Sequence, residues 1–98
     1  MYARVASFEK RDMTNLDELI QTVEQRMQGD PPHPSMKGGM MLVDRDTGRT
    51  LGITFFNSRE AIQEAEPMFE RMGDEVPEEL RGRRVGVDVY EVALERRL

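Results

Sequence analysis

The stretch Gly39-Met40-Met41-Leu42-Val43-Asp44-Arg45-Asp46-Thr47-Gly48-Arg49-Thr50-Leu51-Gly52-Ile53-Thr54-Phe55-Phe56 decides the fold. Two apolar runs stand either side of a short Asp/Gly turn, which predicts a β-hairpin with Gly48 supplying the positive φ. Toward the C-terminus, Asn57-Ser58-Arg59-Glu60 has capping-box character and opens a helix. Ile62, Ala65, Phe69, Met72 and Val76 then recur every three or four residues, so one face of that helix is apolar. Pro67 falls inside the pattern and is expected to kink or split the helix, because the bond back to Gln63 is lost. Gly73 reads as a stop, Asp74 to Arg81 as an acidic loop, and Val85 to Leu94 as a long strand.

Toward the N-terminus, Asp30-Pro31-Pro32-His33-Pro34 can only be a stiff loop. Before it, Asn15-Leu16-Asp17-Glu18 has the form of a capping box. Behind that box, Leu16, Leu19, Ile20, Val23 and Met27 form an apolar stripe, and Gly29 offers a left-handed stop. Tyr2 to Phe8 is short and rich in β-formers, and ends in the charged turn Glu9-Lys10-Arg11-Asp12. The order is βαββαβ. With right-handed crossovers it predicts an α+β, ferredoxin-like plait: a four-stranded antiparallel sheet with both helices on one face.

The chain has 98 residues, room for one core, so residues 1–98 read as a single domain. It has no cysteine, which excludes disulfides, thiolate metal sites and Cys nucleophiles. Lys plus Arg number 14 against 19 Asp plus Glu, a formal charge of −5 that argues against wholesale binding of nucleic-acid phosphates. RNA-recognition domains share the βαββαβ order, but their stacking aromatics would fall here at Leu51 and Ile53, which are aliphatic. No apolar run approaches the roughly 18 residues of a membrane span, and Arg4 interrupts the start of any signal peptide. The expectation is a cytoplasmic domain with neither a nucleic-acid nor a membrane partner.

Two helices cover one side of such a sheet, yet both parities of its strands are apolar. Met40 and Leu42 oppose Met41 and Val43, and Leu51, Ile53 and Phe55 oppose Gly52, Thr54 and Phe56. In the last strand Val85, Val87 and Val89 oppose Tyr90, Val92 and Leu94. An uncovered face of this kind exceeds what monomers normally expose. It predicts a two-fold homodimer with sheets face to face.

The chain resembles the antibiotic biosynthesis monooxygenase domain, of the dimeric α+β barrel superfamily. The resemblance lies in Ala3-Arg4-Val5, Gly38-Gly39-Met40-Met41-Leu42-Val43-Asp44-Arg45, Leu51 through Ala61, and Val89-Tyr90-Glu91-Val92. It implies dimers whose sheets meet as a barrel. It also implies an oxygenase that oxidises polycyclic aromatic compounds with O₂, without metal or flavin; other branches degrade haem, process quinones or isomerise small molecules. Phe56 stands where the family often has Trp. The haem-degrading branch's Trp and Asn fall near Ala65 and Ser7, and its helix His has no counterpart, which argues against haem degradation.

Chemistry of this kind needs a dry pocket and groups that stabilise an electron-rich anion. Arg4 and Tyr90 are the candidate polar groups at the barrel mouth, Ser7 a further hydrogen-bonding group, and His33 a candidate base in its proline loop. Met40, Phe55, Phe56, Met68, Phe69 and Met72 are candidates for the wall around a flat ligand, with core packing as the alternative. One histidine without cysteine offers no metal site, and Asp44 to Gly48 lacks the Glu and Gly spacing of a calcium loop. Arg81-Gly82-Arg83-Arg84 and Arg96-Arg97 read as solvated ends offsetting Glu75, Glu78 and Glu79, with anion binding as the alternative. Two functions stay open: a cofactor-free monooxygenase for a small aromatic or quinone-type compound, and a non-catalytic ligand-binding or structural homodimer. A roomy cavity holding Arg4, Ser7 or Tyr90 would favour the enzyme; one filled by phenylalanines and methionines would favour the second.

Overall fold

The hairpin forms as its sequence requires. A computed structural model describes residues 1–9, 12–29, 31 and 33–97, and in it β2 (Met36–Asp44) turns directly into β3 (Arg49–Phe56). Gly48 takes φ +77°, and its N–H donates to the Asp44 carbonyl at 2.9 Å. The Asp44 carboxylate accepts from the backbone N–H groups of Asp46 at 3.0 Å and Thr47 at 3.3 Å. These bonds favour its ionised form and hold its carboxyl below the ordinary aspartate range.

The other elements are β1 (Tyr2–Glu9), α1 (Leu16–Met27), α2 (Arg59–Glu75), α3 (Glu78–Arg81) and β4 (Arg83–Glu91). The sheet is antiparallel in the order β2-β3-β1-β4, with β1 central: Arg4 pairs with Thr54 and Val89, and Ala6 with Gly52 and Val87. This is the expected α+β plait. The expected turn at Lys10 and Arg11, and Asp30 and Pro32 of the proline loop, lie outside the described residues.

Several local expectations are corrected. Asn15 precedes α1 but makes no capping bond. Its Nδ2 donates instead to the Glu79 carbonyl at 3.2 Å, tying the start of α1 to α3, and its Oδ1 is buried without a partner. Ser58 does cap α2, its Oγ accepting from the Ala61 N–H at 3.1 Å. Pro67 does not split α2, which runs unbroken to Glu75. Pro67 and Gln63 are both exposed, so the carbonyl that loses its helical donor faces water. Gly73 stays helical, and the stop comes at Val76, just before Pro77. The acidic loop contains the short helix α3, closed by Gly82 at φ +84°. The last strand begins at Arg83 and ends at Glu91, so Val92 to Leu94 lie beyond the sheet.

The core is placed to one side. Phe56, Ile62 and Ala65 are its buried centre, with Tyr2, Met36, Phe69 and Val89 packed around them. It therefore fills the space between the first half of α2 and the sheet end where β3 finishes. Leu16 and Leu19 are also buried, whereas Met27, at the far end of α1, is 55% exposed. Among the described residues no helix is long and apolar enough to cross a membrane. Ile62→Ala is expected to cost about 2–4 kcal/mol and Met27→Ala less than about 1 kcal/mol, measured by urea denaturation. Equal costs would contradict this placement of the core.

Candidate functional site

Strand alternation puts Arg4, Ala6 and Phe8 of β1 on the helix-facing side, beside Thr50, Gly52 and Thr54 of β3. At the centre of that floor the facing pair is Ala6 and Gly52, and Gly39 lies opposite Thr54. Residues this small cannot fill the space beneath two helices, so the layers leave a half-open cavity of about 650 Å³. Leu19, Val23 and Met27 of α1, Phe69 and Met72 of α2, and Val76 just past the end of α2 form its roof. Gly39 is tightly packed for a different reason. A Cβ there would come within 3.1 Å of the Ile53 carbonyl oxygen.

Arg4 stands where core gives way to cavity. It is only 4% exposed and lines the cavity wall. Its Nε donates to Glu66 Oε1 at 2.8 Å and its Nη2 to Oε2 at 3.3 Å, a bidentate pair between β1 and α2. The guanidinium carbon lies 3.9 Å from the centroid of the Phe69 ring, which meets Phe56 edge-on with centroids 6.1 Å apart. A cation so enclosed is held in one orientation and loses little freedom on meeting an anion in the cavity.

The structure brings together Arg4, Phe69 and Met72 of the residues expected from sequence; Met40 touches the rim of the cavity, but its register opposite Ile53 turns it to the open face of the sheet. Phe56 and Met68 are buried and do not line the cavity. Phe55 lies on the opposite, open face of the sheet, where it borders a shallow depression with Met40, Val92 and Leu94. Ser7 and Tyr90 also belong to the open face: Ser7 stands between cavity-facing Ala6 and Phe8, and Tyr90 pairs with Ala3, the neighbour of Arg4 on the other parity of β1. They do not join Arg4. His33 sits in the loop before β2, where its Nδ1 accepts from the Ser35 N–H at 3.2 Å and lies 2.6 Å from Ser35 Oγ. It does not line the cavity, although Pro31 and Met36 do. Among the described residues no three His, Asp or Glu side chains converge as metal ligands would.

Glu66 and the small floor of the cavity were not singled out from sequence, whereas Arg81 and Arg84, read there as solvated ends or an anion site, do line the cavity. The Ala6–Gly52 pairing could have been found, since both fall on the parity shared with Arg4 once the hairpin register is drawn. The Arg4–Glu66 pair spans 62 positions and leaves no local signal.

No protein-family profile matches the chain, and no curated protein of related sequence was found. Solved structures do share its fold. A candidate antibiotic biosynthesis monooxygenase from Deinococcus radiodurans superposes with a TM-score of 0.69 at 12% identity, over 100% of this chain and 98% of that one. The haem degrader MhuD of Mycobacterium tuberculosis, with two haems in its active site, gives a TM-score of 0.75 at 17% identity, over 98% of this chain and 99% of its own. An R26S variant of MhuD carrying two manganese protoporphyrins per active site gives 0.65 at 17% identity, over 98% of each chain. The chain shares the fold of these structures, as the resemblance implied.

The buried ion pair generates an asymmetric prediction. Removing Glu66 strands a charge that is 5% exposed, whereas removing Arg4 leaves a carboxylate that is 39% exposed and can be hydrated. Allowing for that solvent screening, Glu66→Gln is expected to cost about 1–3 kcal/mol and Arg4→Met less than half as much, by urea denaturation. The reverse order would mean that Arg4 is not enclosed.

Proposed function

We propose that this chain is a cofactor-independent monooxygenase acting on a small aromatic or quinone-type compound, as a cytoplasmic homodimer joined through its open sheet faces. The observation that carries the reading is the cavity: about 650 Å³, apolar in most of its wall, with one immobilised guanidinium at the edge of the core. Ligand sites of this size and character suit a flat molecule of a few rings.

The chemistry fits a substrate whose CH₂ group, or an equivalent ring carbon, is acidified by a neighbouring oxygen. Loss of one proton gives an anion whose charge rests on that oxygen, where Arg4 stabilises it. The anion passes one electron to O₂, and the resulting carbon radical and superoxide couple to form a C–O bond. The peroxide regains the proton and then loses water, leaving a carbonyl. In sum, CH₂ and O₂ become C=O and H₂O, and the substrate supplies every electron. The apolar walls protect the radical pair by excluding water.

The likeness to a haem degrader suggests haem as a competing substrate. Against it, the cavity wall has no His or Tyr among the described residues, the chain has no Cys, and α2 carries no His, so the usual protein ligands to haem iron are missing apart from methionines.

An oxygen electrode tests the reaction. Wild-type protein with anthrone or 1,4-dihydroxynaphthalene, without added metal or flavin, is expected to consume O₂ above the no-protein rate. Gly52→Val is expected to abolish the excess while folding normally, because a Cβ at Gly52 meets nothing within 4 Å and projects into the cavity. Uptake at the no-protein rate across such a panel, with the compounds still bound, would favour the non-catalytic ligand-binding dimer.

Support for the dimer comes from the open face. There Met40 is 39%, Leu42 47% and Tyr90 56% exposed, alongside Leu51, Ile53 and Phe55. A stable pairing buries about 800 Å² per partner. Light scattering is expected to give about twice 11.3 kDa, and Leu42→Glu to return it to the monomer mass. A monomeric wild type at micromolar concentration removes this part of the proposal.

A further inference from the structure

The chain is acidic, with 14 basic against 19 acidic residues, yet the wall of its cavity reverses that sign. Arg4, Arg26, Lys37, Arg81 and Arg84 line it beside one lining carboxylate, Glu70, although Arg4 and Arg26 are paired with Glu66 and Glu75, which do not line it. These cations are not spread evenly. Arg84 of β4 pairs in register with Phe8, four residues along β1 from Arg4 and on the same face of the sheet. At strand spacing that places Arg84 about 13 Å from Arg4 along the floor. Arg81 joins Arg84 at this far end, on the short helix just before β4.

The two far-end arginines are held differently. Arg81 is fixed by neutral groups: its Nε donates to the carbonyls of Gly73 and Val76, both at 3.2 Å, and its Nη1 to that of Gly82 at 3.0 Å. Carbonyls orient a guanidinium without cancelling its charge, and among the described residues no carboxylate pairs with Arg81. Arg84 does meet a carboxylate, Glu70, but at 3.5 Å and with side chains 43% and 63% exposed. Such a pair is weak and readily exchanged. The cavity thus has a fixed cation at one end, enclosed by Glu66 and Phe69, and at the other a cation with no carboxylate partner among the described residues, beside an exchangeable one.

We propose that the Arg81–Arg84 end is an anion subsite, and that the cavity takes planar aromatic carboxylates: the carboxylate meets Arg81 and displaces Glu70 from Arg84, while an oxygen at the opposite end of the ring system meets Arg4. This rests on the aromatic-ligand reading of the cavity and adds what orients the ring within it. The carboxylate anchors one end, so the ring carbon near Arg4 is the one presented for reaction.

Fluorescence titration of the full chain with 6-hydroxy-2-naphthoate and its neutral analogue 2,6-dihydroxynaphthalene tests this. The two match in ring size and in the distal hydroxyl, and differ in the group offered to the arginines. Wild type is expected to bind the naphthoate about tenfold more tightly at low salt, with the advantage shrinking as salt is raised. Arg84→Gln is expected to reduce the advantage several-fold. Glu70→Gln, which removes the competing carboxylate without touching the ligand's cations, is expected to enlarge it. Equal affinity for the two compounds overturns the subsite while leaving the cavity as an aromatic site. An advantage unchanged in both variants overturns it as well. Binding of neither compound overturns the aromatic reading and the subsite together.

Discussion

A guanidinium buried against a β-sheet has to be given a counter-charge, and here that requirement ties the two layers of the molecule together. Arg4 sits on the central strand and its carboxylate partner on α2, so the ion pair is a strut between sheet and helix. Its two hydrogen bonds fix how near Glu66 and Arg4 lie. The same guanidinium rests on Phe69, whose edge-on contact with Phe56 leads directly into the packed core. On one side of the strut the interior is dense; on the other it is open. Burial of a charge, costly as a contribution to stability, becomes useful when the charge is also the wall of a cavity.

The open side exists because the floor is made of small residues. A large side chain at Ala6 or Gly52 would reach the roof and convert the cavity into core. At Gly52 nothing within 4 Å forbids such a side chain, so the glycine is not there to satisfy a turn or a close backbone contact. Gly39 differs, since a Cβ there would crowd the Ile53 carbonyl at 3.1 Å and the two strands would have to give by a few tenths of an ångström. The two glycines look alike in sequence and act through different physics: one leaves volume, the other permits two strands to approach.

The plait itself was legible in the sequence because its signals are local. The Asp44–Gly48 turn, the Ser58 cap and the stripes Leu16–Met27 and Ile62–Val76 each fix an element within a few residues. The structure departs from local preference where a tertiary contact or water satisfies the group concerned. Asn15 turned its amide to Glu79 instead of capping its own helix, and α2 passed through Pro67 because the freed carbonyl faces solvent. The site was only partly legible. Arg4 could be picked out as a polar residue in an apolar strand, but Ser7 and Tyr90 were grouped with it before the face of each strand position was known. Register separates them: a shift of one residue exchanges the two faces.

That register also shows an inversion of the usual two-layer sheet. On β3 the helix-facing residues after the core are Thr54, Gly52 and Thr50, while Phe55, Ile53 and Leu51 point away from the helices. On β2 the open face carries Met40 and Leu42. On β3 the bulk that would ordinarily pack beneath helices has been moved to the side they do not cover, while β2 carries apolar residues on both faces, Met41 and Val43 on the covered one. One choice of strand parity therefore has two consequences: it hollows the interior beneath the helices, and it loads the opposite face with apolar area that water disfavours. A second copy pressed against that face would let the sheet be stabilised from outside the cavity, so that the cavity need not be filled for the fold to hold. Under this arrangement pocket and association are linked through the hairpin register, and a sequence that kept one while losing the other would have to change alternate residues of β2 and β3 together.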